Sequence, residues 1–175
     1  MSIPLILTVI SADKPGLVES LAYTIMQHDG SWLDSSMARM AGQFAGILRV
    51  DVPATQVEAL RVDLKQLGSQ GIHIQLAISG QADEQLLDTL NLTLVANDRP
   101  GIMHEMSAVL AQHGVNVDQL TTRREPAAMS SDKLFRATAQ LGLLPQTDVE
   151  ALRGDLEKLA PDLMVELTQS PEPSS

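Results

Sequence analysis

The sequence predicts an α+β protein built from two tandem βαββαβ units, and three observations carry that prediction. Asp13-Lys14-Pro15-Gly16 returns 85 positions later as Asp98-Arg99-Pro100-Gly101. The fifteen residues Pro53 to Leu67 return as Pro145 to Leu159 with ten identities. Around both repeats the apolar residues switch between period two and period 3.6, the signatures of strands and of amphipathic helices.

Residues 4–11 read as the first strand, with Leu5, Leu7 and Val9 on one face and Ile6, Thr8 and Ile10 on the other. After the Pro-Gly turn, Leu17, Val18, Leu21, Ala22, Ile25 and Met26 recur at helical spacing, with a stop at Gly30. Two strands follow, over 31–40 and 43–52, joined at Ala41-Gly42. Pro53 opens the second helix, Thr55…Glu58 has the form of a capping box, and Val57, Leu60, Leu64 and Leu67 form its apolar stripe. Ile72 to Ile78 alternates as the last strand of the unit.

The order then repeats. Leu90, Leu92 and Leu94 open a strand, Ile102, Met106, Val109 and Leu110 stripe a helix, and strands are expected over 115–124 and 134–141. The final helix carries a second box, Thr147…Glu150, and 163–167 is the last strand. The offset grows from 85 to 92 between the first and last matched segments, which places about seven extra residues in the polar 125–133 loop. The expected organisation is one module over 1–80, a linker over 81–87, a second module over 88–168 and a disordered tail over 169–175.

Composition bounds the function. Apolar residues make up 44% and charged residues 19%, a globular balance. Trp32, Tyr23, Phe44 and Phe135 are the only aromatic residues, so the core is aliphatic and base-stacking platforms are lacking. A net charge of −10 without clustered Lys and Arg argues against direct nucleic-acid binding. The absence of cysteine excludes disulfides and thiolate chemistry. No apolar run approaches a membrane span, and Leu5 to Ile10 is too short for a signal core, so a soluble cytoplasmic protein is expected.

Catalytic signatures are missing. His104-Glu105 begins like a zinc helix, but position 108 is Ala, and no nucleophile elbow or phosphate loop occurs. No metal or other cofactor is expected. His28 and His113 each end the first helix of a unit, where an imidazolium complements the helix dipole; a metal or catalytic role is the sharper alternative. Asp34 and Asp118 correspond if the first unit carries one extra residue, and are read as solvated or turn-bonded rather than catalytic. The repeated turn itself has two readings. Pro and Gly shape a tight connection, or the helix start presents N–H groups and a positive end to a small anion.

The two βαββαβ units, the Asp-x-Pro-Gly turn after strand one and Gly114-Val115-Asn116 entering strand two resemble the ACT domain family of ferredoxin-like modules. A stand-alone pair is similar to the glycine cleavage system transcriptional repressor family. That resemblance implies an amino-acid-responsive regulator, not an enzyme, that controls transcription by binding a DNA-binding activator protein. The ligand is a small amino acid, with glycine the first candidate, and no DNA or membrane is touched. The implied ligand positions are Asp13, Pro15, Gly16 and Leu17 in one unit and Asp98, Pro100, Gly101 and Ile102 in the other. Asn116 is the strand-two polar residue supplied by a neighbouring module, and Trp32 disturbs the first unit's version of that region. Asp13 and Asp98 would either cap their helices or meet the ammonium, with helix-start N–H groups holding the carboxylate. A homo-oligomer is expected, because each sheet has a face or edge to cover. The alternatives are a ligand-independent interaction adaptor and, third, a small metal-dependent hydrolase.

Overall fold

A computed structural model of the chain describes residues 1–80 and 88–169. It divides into two compact units, Met1–Asp83 and Glu84–Ser175. The first contains β1 (Ser2–Ala12), α1 (Leu17–Gln27), β2 (Ser31–Met40), β3 (Gln43–Pro53), α2 (Val57–Gln66) and β4 (Ile72–Ile78). The second contains β5 (Asp88–Asn97), α3 (Ile102–Gln112), β6 (Asn116–Pro126), β7 (Lys133–Leu143), α4 (Val149–Glu157) and β8 (Met164–Gln169). Each sheet is antiparallel, with strand orders β2-β3-β1-β4 and β6-β7-β5-β8. These are two ferredoxin-like modules, as the repeated element order predicts.

The strand alternation decides which face is covered. Leu5, Leu7 and Val9 are fully buried against Leu21, Ile25, Leu60 and Leu64 of the helices. Each such side chain contributes roughly 1.5–3 kcal/mol through removal from water. On the opposite face Ile10 and Ile47 remain about half exposed, at 54% and 50%. The second core repeats the plan with Leu90, Leu92 and Leu94 against Met106, Leu110, Leu152 and Leu156. Trp32 packs half-buried on the first unit's own core.

Several expectations are corrected. Neither capping box forms. In the first unit a 3₁₀ turn, Ala54–Gln56, precedes α2, and the N-cap is Gln56, which makes no side-chain cap. In the second the cap is Asp148, whose Oδ1 accepts from the Ala151 N–H at 3.1 Å, while the Thr147 hydroxyl is buried without a partner. The helix starts one residue later than the box required, so the side chain aimed at the free amides is Asp148.

The seven extra residues are divided. The β2–β3 hairpin turns in two residues, Ala41 and Gly42, both at positive φ as a tight hairpin requires. Its counterpart turns over 127–132 between paired Pro126 and Lys133. The offset is therefore 91 along β7, Leu134 against Gln43, and reaches 92 only in α4, Val149 against Val57. One residue thus enters between β7 and Pro145.

The supposed extra residue of the first unit is also absent. Both edge strands carry a bulge at the same offset, at Leu33 between Trp32 and Asp34 and at Asp118 between Val117 and Gln119. Leu33 thus matches Asp118, and Asp34 matches Gln119. Asp34 pairs with Arg49 at 2.5 Å, and Asp118 accepts from Asn116 Nδ2 at 2.9 Å. The linker 81–87 and tail residues 170–175 lie outside the described residues. Gln169, assigned to the tail from sequence, closes β8 opposite Leu90.

Candidate functional site

The repeated turn is built the same way twice. As the chain leaves β1, the Asp13 N–H donates to the Gly42 carbonyl at 2.9 Å; leaving β5, the Asp98 N–H donates to the Lys133 carbonyl at 2.8 Å. The Asp13 carboxylate meets Arg39 Nη1 at 3.2 Å, and that of Asp98 meets Arg124 Nε at 2.7 Å. Arg39 and Arg124 stand 85 positions apart, in register with the turns themselves.

The cation of each turn reaches the other way. Lys14 Nζ donates to the Gln70 carbonyl at 2.5 Å, and Arg99 Nη2 donates to the Leu159 carbonyl at 3.1 Å. Both carbonyls lie just beyond the second helix of their unit, where orphan acceptors and a partial negative charge favour a cation. Arg99 also pairs with Glu105, and this contact holds the Glu105 carboxyl below its ordinary range. Each tetrapeptide therefore ties together a strand end, the β2- or β6-type edge strand and the end of the second helix.

Gly16 and Gly101 follow at φ 84° and 86°, in the left-handed region that L side chains resist, and each caps a helix without a side-chain bond. The first return bonds come from Ser20 to Gly16 and from Glu105 to Gly101. The amides ahead of them in each helix start are available to a ligand, apart from a long 3.4 Å contact between Ile102 N–H and the Arg99 carbonyl. A hollow of about 340 Å³ opens beside the first turn, lined by Asp13, Lys14, Gly16, Val18, Glu19 and Phe44 among others.

Of the expected ligand residues, Pro15, Gly16, Pro100 and Gly101 are exposed around the helix starts, and Asp13 and Asp98 are engaged with arginines. Leu17 and Ile102 are 3% exposed with side chains in the core, so only their backbone is positioned to touch a ligand. Asn116 does not meet the second turn within its own unit. It pairs with Gly142, which pairs with Thr89 at the opposite end of β5 from Asp98. Nine residues of strand put the two about 30 Å apart.

The sequence reading missed Arg39 and Arg124, although their 85-residue spacing was the available signal. The two histidines are C-caps of α1 and α3, as expected, but their rings serve tertiary contacts. His28 Nε2 lies 2.8 Å from Asp63, and His113 Nε2 lies 2.8 Å from Asp155. Gln56 Oε1 adds a 3.3 Å contact to His28 Nδ1. The His113 hydrogen bond, helped by Lys158, lowers the carboxyl pKa of Asp155.

Two solved structures share the whole architecture. A protein of unknown function from Galdieria sulphuraria aligns over 98% of this chain and 100% of its own, at 21% identity and a TM-score of 0.82. A "putative glycine cleavage system transcriptional repressor" aligns over 97% of this chain and 99% of its own, at 15% identity and a TM-score of 0.69. At these identities the likeness shows the fold. No curated protein matches the sequence. Two ACT domain family models match, one over residues 4–79 and the other over residues 89–136. With both units matched in tandem, the chain belongs to the ACT domain family.

Proposed function

We propose that the protein senses a small amino acid and passes the signal on through protein contacts. ACT domains are regulatory modules, and the observation that carries the reading here is the pair of uncapped helix starts behind Gly16 and Gly101. Their free amides suit a carboxylate, while the carboxylate of Asp13 or Asp98 suits an ammonium, so a zwitterion satisfies both. The proposed contacts are Asp13, Pro15, Gly16 and Leu17 of the first unit and Asp98, Pro100, Gly101 and Ile102 of the second, with Asn116 supplied by another module. The distance between Asp98 and Asn116 inside one unit supports that division, and with it a homo-oligomer. The proposed target is a DNA-binding activator and the proposed ligand glycine or a close relative, in keeping with the resemblance to the glycine cleavage system transcriptional repressor family.

Calorimetry with glycine, serine and alanine tests the ligand. Saturable binding at millimolar or lower concentration, lost in Gly101→Val and Gly16→Val together, is expected; no heat from any of the three overturns it. The two Asp–Arg pairs favour a second reading, a ligand-independent adaptor, because the turn's carboxylates are already satisfied within the chain. An activator retained equally with and without amino acid in a native pull-down would decide for the adaptor.

A further inference from the structure

The two units share strand register residue for residue on the sheet face away from the helices, yet several rows there carry different chemistry. In the first unit, adjacent β2–β3 rows on this face are Ala38 opposite Ala45 and Ser36 opposite Ile47. The matching β6–β7 rows are Arg123 opposite Arg136 and Thr121 opposite Thr138. The next row changes from Asp34 and Arg49 to Gln119 and Gln140. On β1 and β5 the change is from Ile6 to Asn91. The first unit makes the same sheet with Ala38 and Ala45 where the second has two arginines, and with Ile6 and Ile47 where the second has Asn91 and Thr138, so the fold itself does not require these side chains.

Two directly opposed arginines hold their Cβ atoms about 5 Å apart, and like charges so placed weaken a sheet. Glu125 accepts from Arg136 Nε at 3.1 Å and offsets one of them. Arg123 makes no ion pair among the described residues. The twist of the sheet leaves a hollow of about 210 Å³ bounded by Arg123, Arg136, Thr121 and Thr138. Thr121 and Thr138 also line a second hollow of about 320 Å³ that runs on over Gln119, Gln140 and Asn91. The nearest further carboxylate on this face, Glu166, stands two strands from Thr138 in the same row, about 10 Å away.

The result is a graded trough, with guanidinium forks at one end, hydroxyls in the middle and amides at the other. Guanidinium groups recognise oxyanions through paired N–H bonds. Asn, Gln and Thr each offer donors and acceptors, the complement of a polyhydroxylated body. We infer that this face of the second unit binds a small phosphorylated polyol, with its phosphate between Arg123 and Arg136 and its hydroxyls along the Thr and amide rows. No residue of this site belongs to either Pro-Gly turn.

Glucose 6-phosphate, glucose and inorganic phosphate titrated separately into the full ¹⁵N-labelled chain test the inference. Saturable shifts at Thr121, Arg123, Arg136 and Thr138 are expected with glucose 6-phosphate. Inorganic phosphate and glucose should each bind at least about tenfold more weakly, since each lacks one set of contacts. Arg123→Ala copies the residue that the first unit carries and leaves the spectrum folded, but should cost roughly tenfold or more in affinity. No saturable shift, equal binding by Arg123→Ala, or inorganic phosphate binding as tightly as the sugar phosphate would each overturn the assignment. A short single-stranded oligonucleotide binding this face more tightly than glucose 6-phosphate would overturn it in favour of a nucleic-acid backbone.

Discussion

The His28 ring bridges the two helices of its unit, with Nε2 2.8 Å from the Asp63 carboxylate. The same bridge recurs between His113 and Asp155, again at 2.8 Å. A helix that ends on histidine is thereby fastened to the C-terminal half of the next one. The ring of His28 is largely buried and Asp63 is half exposed, so the bond is partly shielded from water.

Asp63→Ala removes this bridge and leaves a buried imidazole nitrogen without its partner. The expected loss is about 1 kcal/mol of unfolding free energy, the usual magnitude for such a bond with one exposed member. Urea denaturation of the two proteins checks it, and coincident curves would show that the bridge is incidental.

The pH dependence of the second bridge has a definite sign. Asp155 has a lowered folded-state pKa, chiefly through its bond from His113 and then through Lys158. Its stabilising contribution is therefore present above the ordinary carboxylate range and is lost as pH falls through the folded pKa. Melting temperatures of the native protein and Asp155→Asn should differ near neutrality and converge in acid. A constant gap across that range would contradict the linkage.

Two glycines should respond in opposite directions to alanine. Gly101 sits at φ 86°, and a Cβ there meets no atom within 4 Å, so Gly101→Ala is opposed by backbone conformation alone. The expected cost is about 1 kcal/mol. Gly154 lies inside α4 with equal room and no positive φ, and Gly154→Ala should stabilise by about 0.5–1 kcal/mol. Thermal melts of the pair check both signs at once.

On α2, burial alone separates neighbouring apolar residues. Leu60 is fully buried and Val62 is 55% exposed. Leu60→Ala should cost about 2–5 kcal/mol, and Val62→Ala no more than about 0.5. Denaturant midpoints with unchanged slopes are the measurement; a large loss at Val62 would reveal a packing role hidden from the single chain.

Most of the fold was legible because the duplication let each unit vouch for the other. Alternation in Leu5-Leu7-Val9 and Leu90-Leu92-Leu94, and stripes such as Val57-Leu60-Leu64, name the buried face through geometry local to each element. Helix starts were less legible. Thr55…Glu58 and Thr147…Glu150 have the right residue types, but the chain enters α2 and α4 one residue later, which local spacing does not reveal. The candidate site was half legible. The turns stood out in the sequence, whereas Arg39 and Arg124, distant in the chain, became partners only once the edge strands were laid beside the turns.

What the sequence determined by itself is the repeated βαββαβ plan, the aliphatic cores and the two Asp-x-Pro-Gly turns, because these depend on periodicity and on conformational preferences of neighbouring residues. Tertiary structure alone decided that Asp13 and Asp98 face arginines, that Asn116 stands a strand's length from the second turn, and that Arg123 lies opposite Arg136. Those relations depend on register across strands, where pairing brings together residues far apart in the chain and side-chain charges meet only after the backbone hydrogen bonds have set the rows.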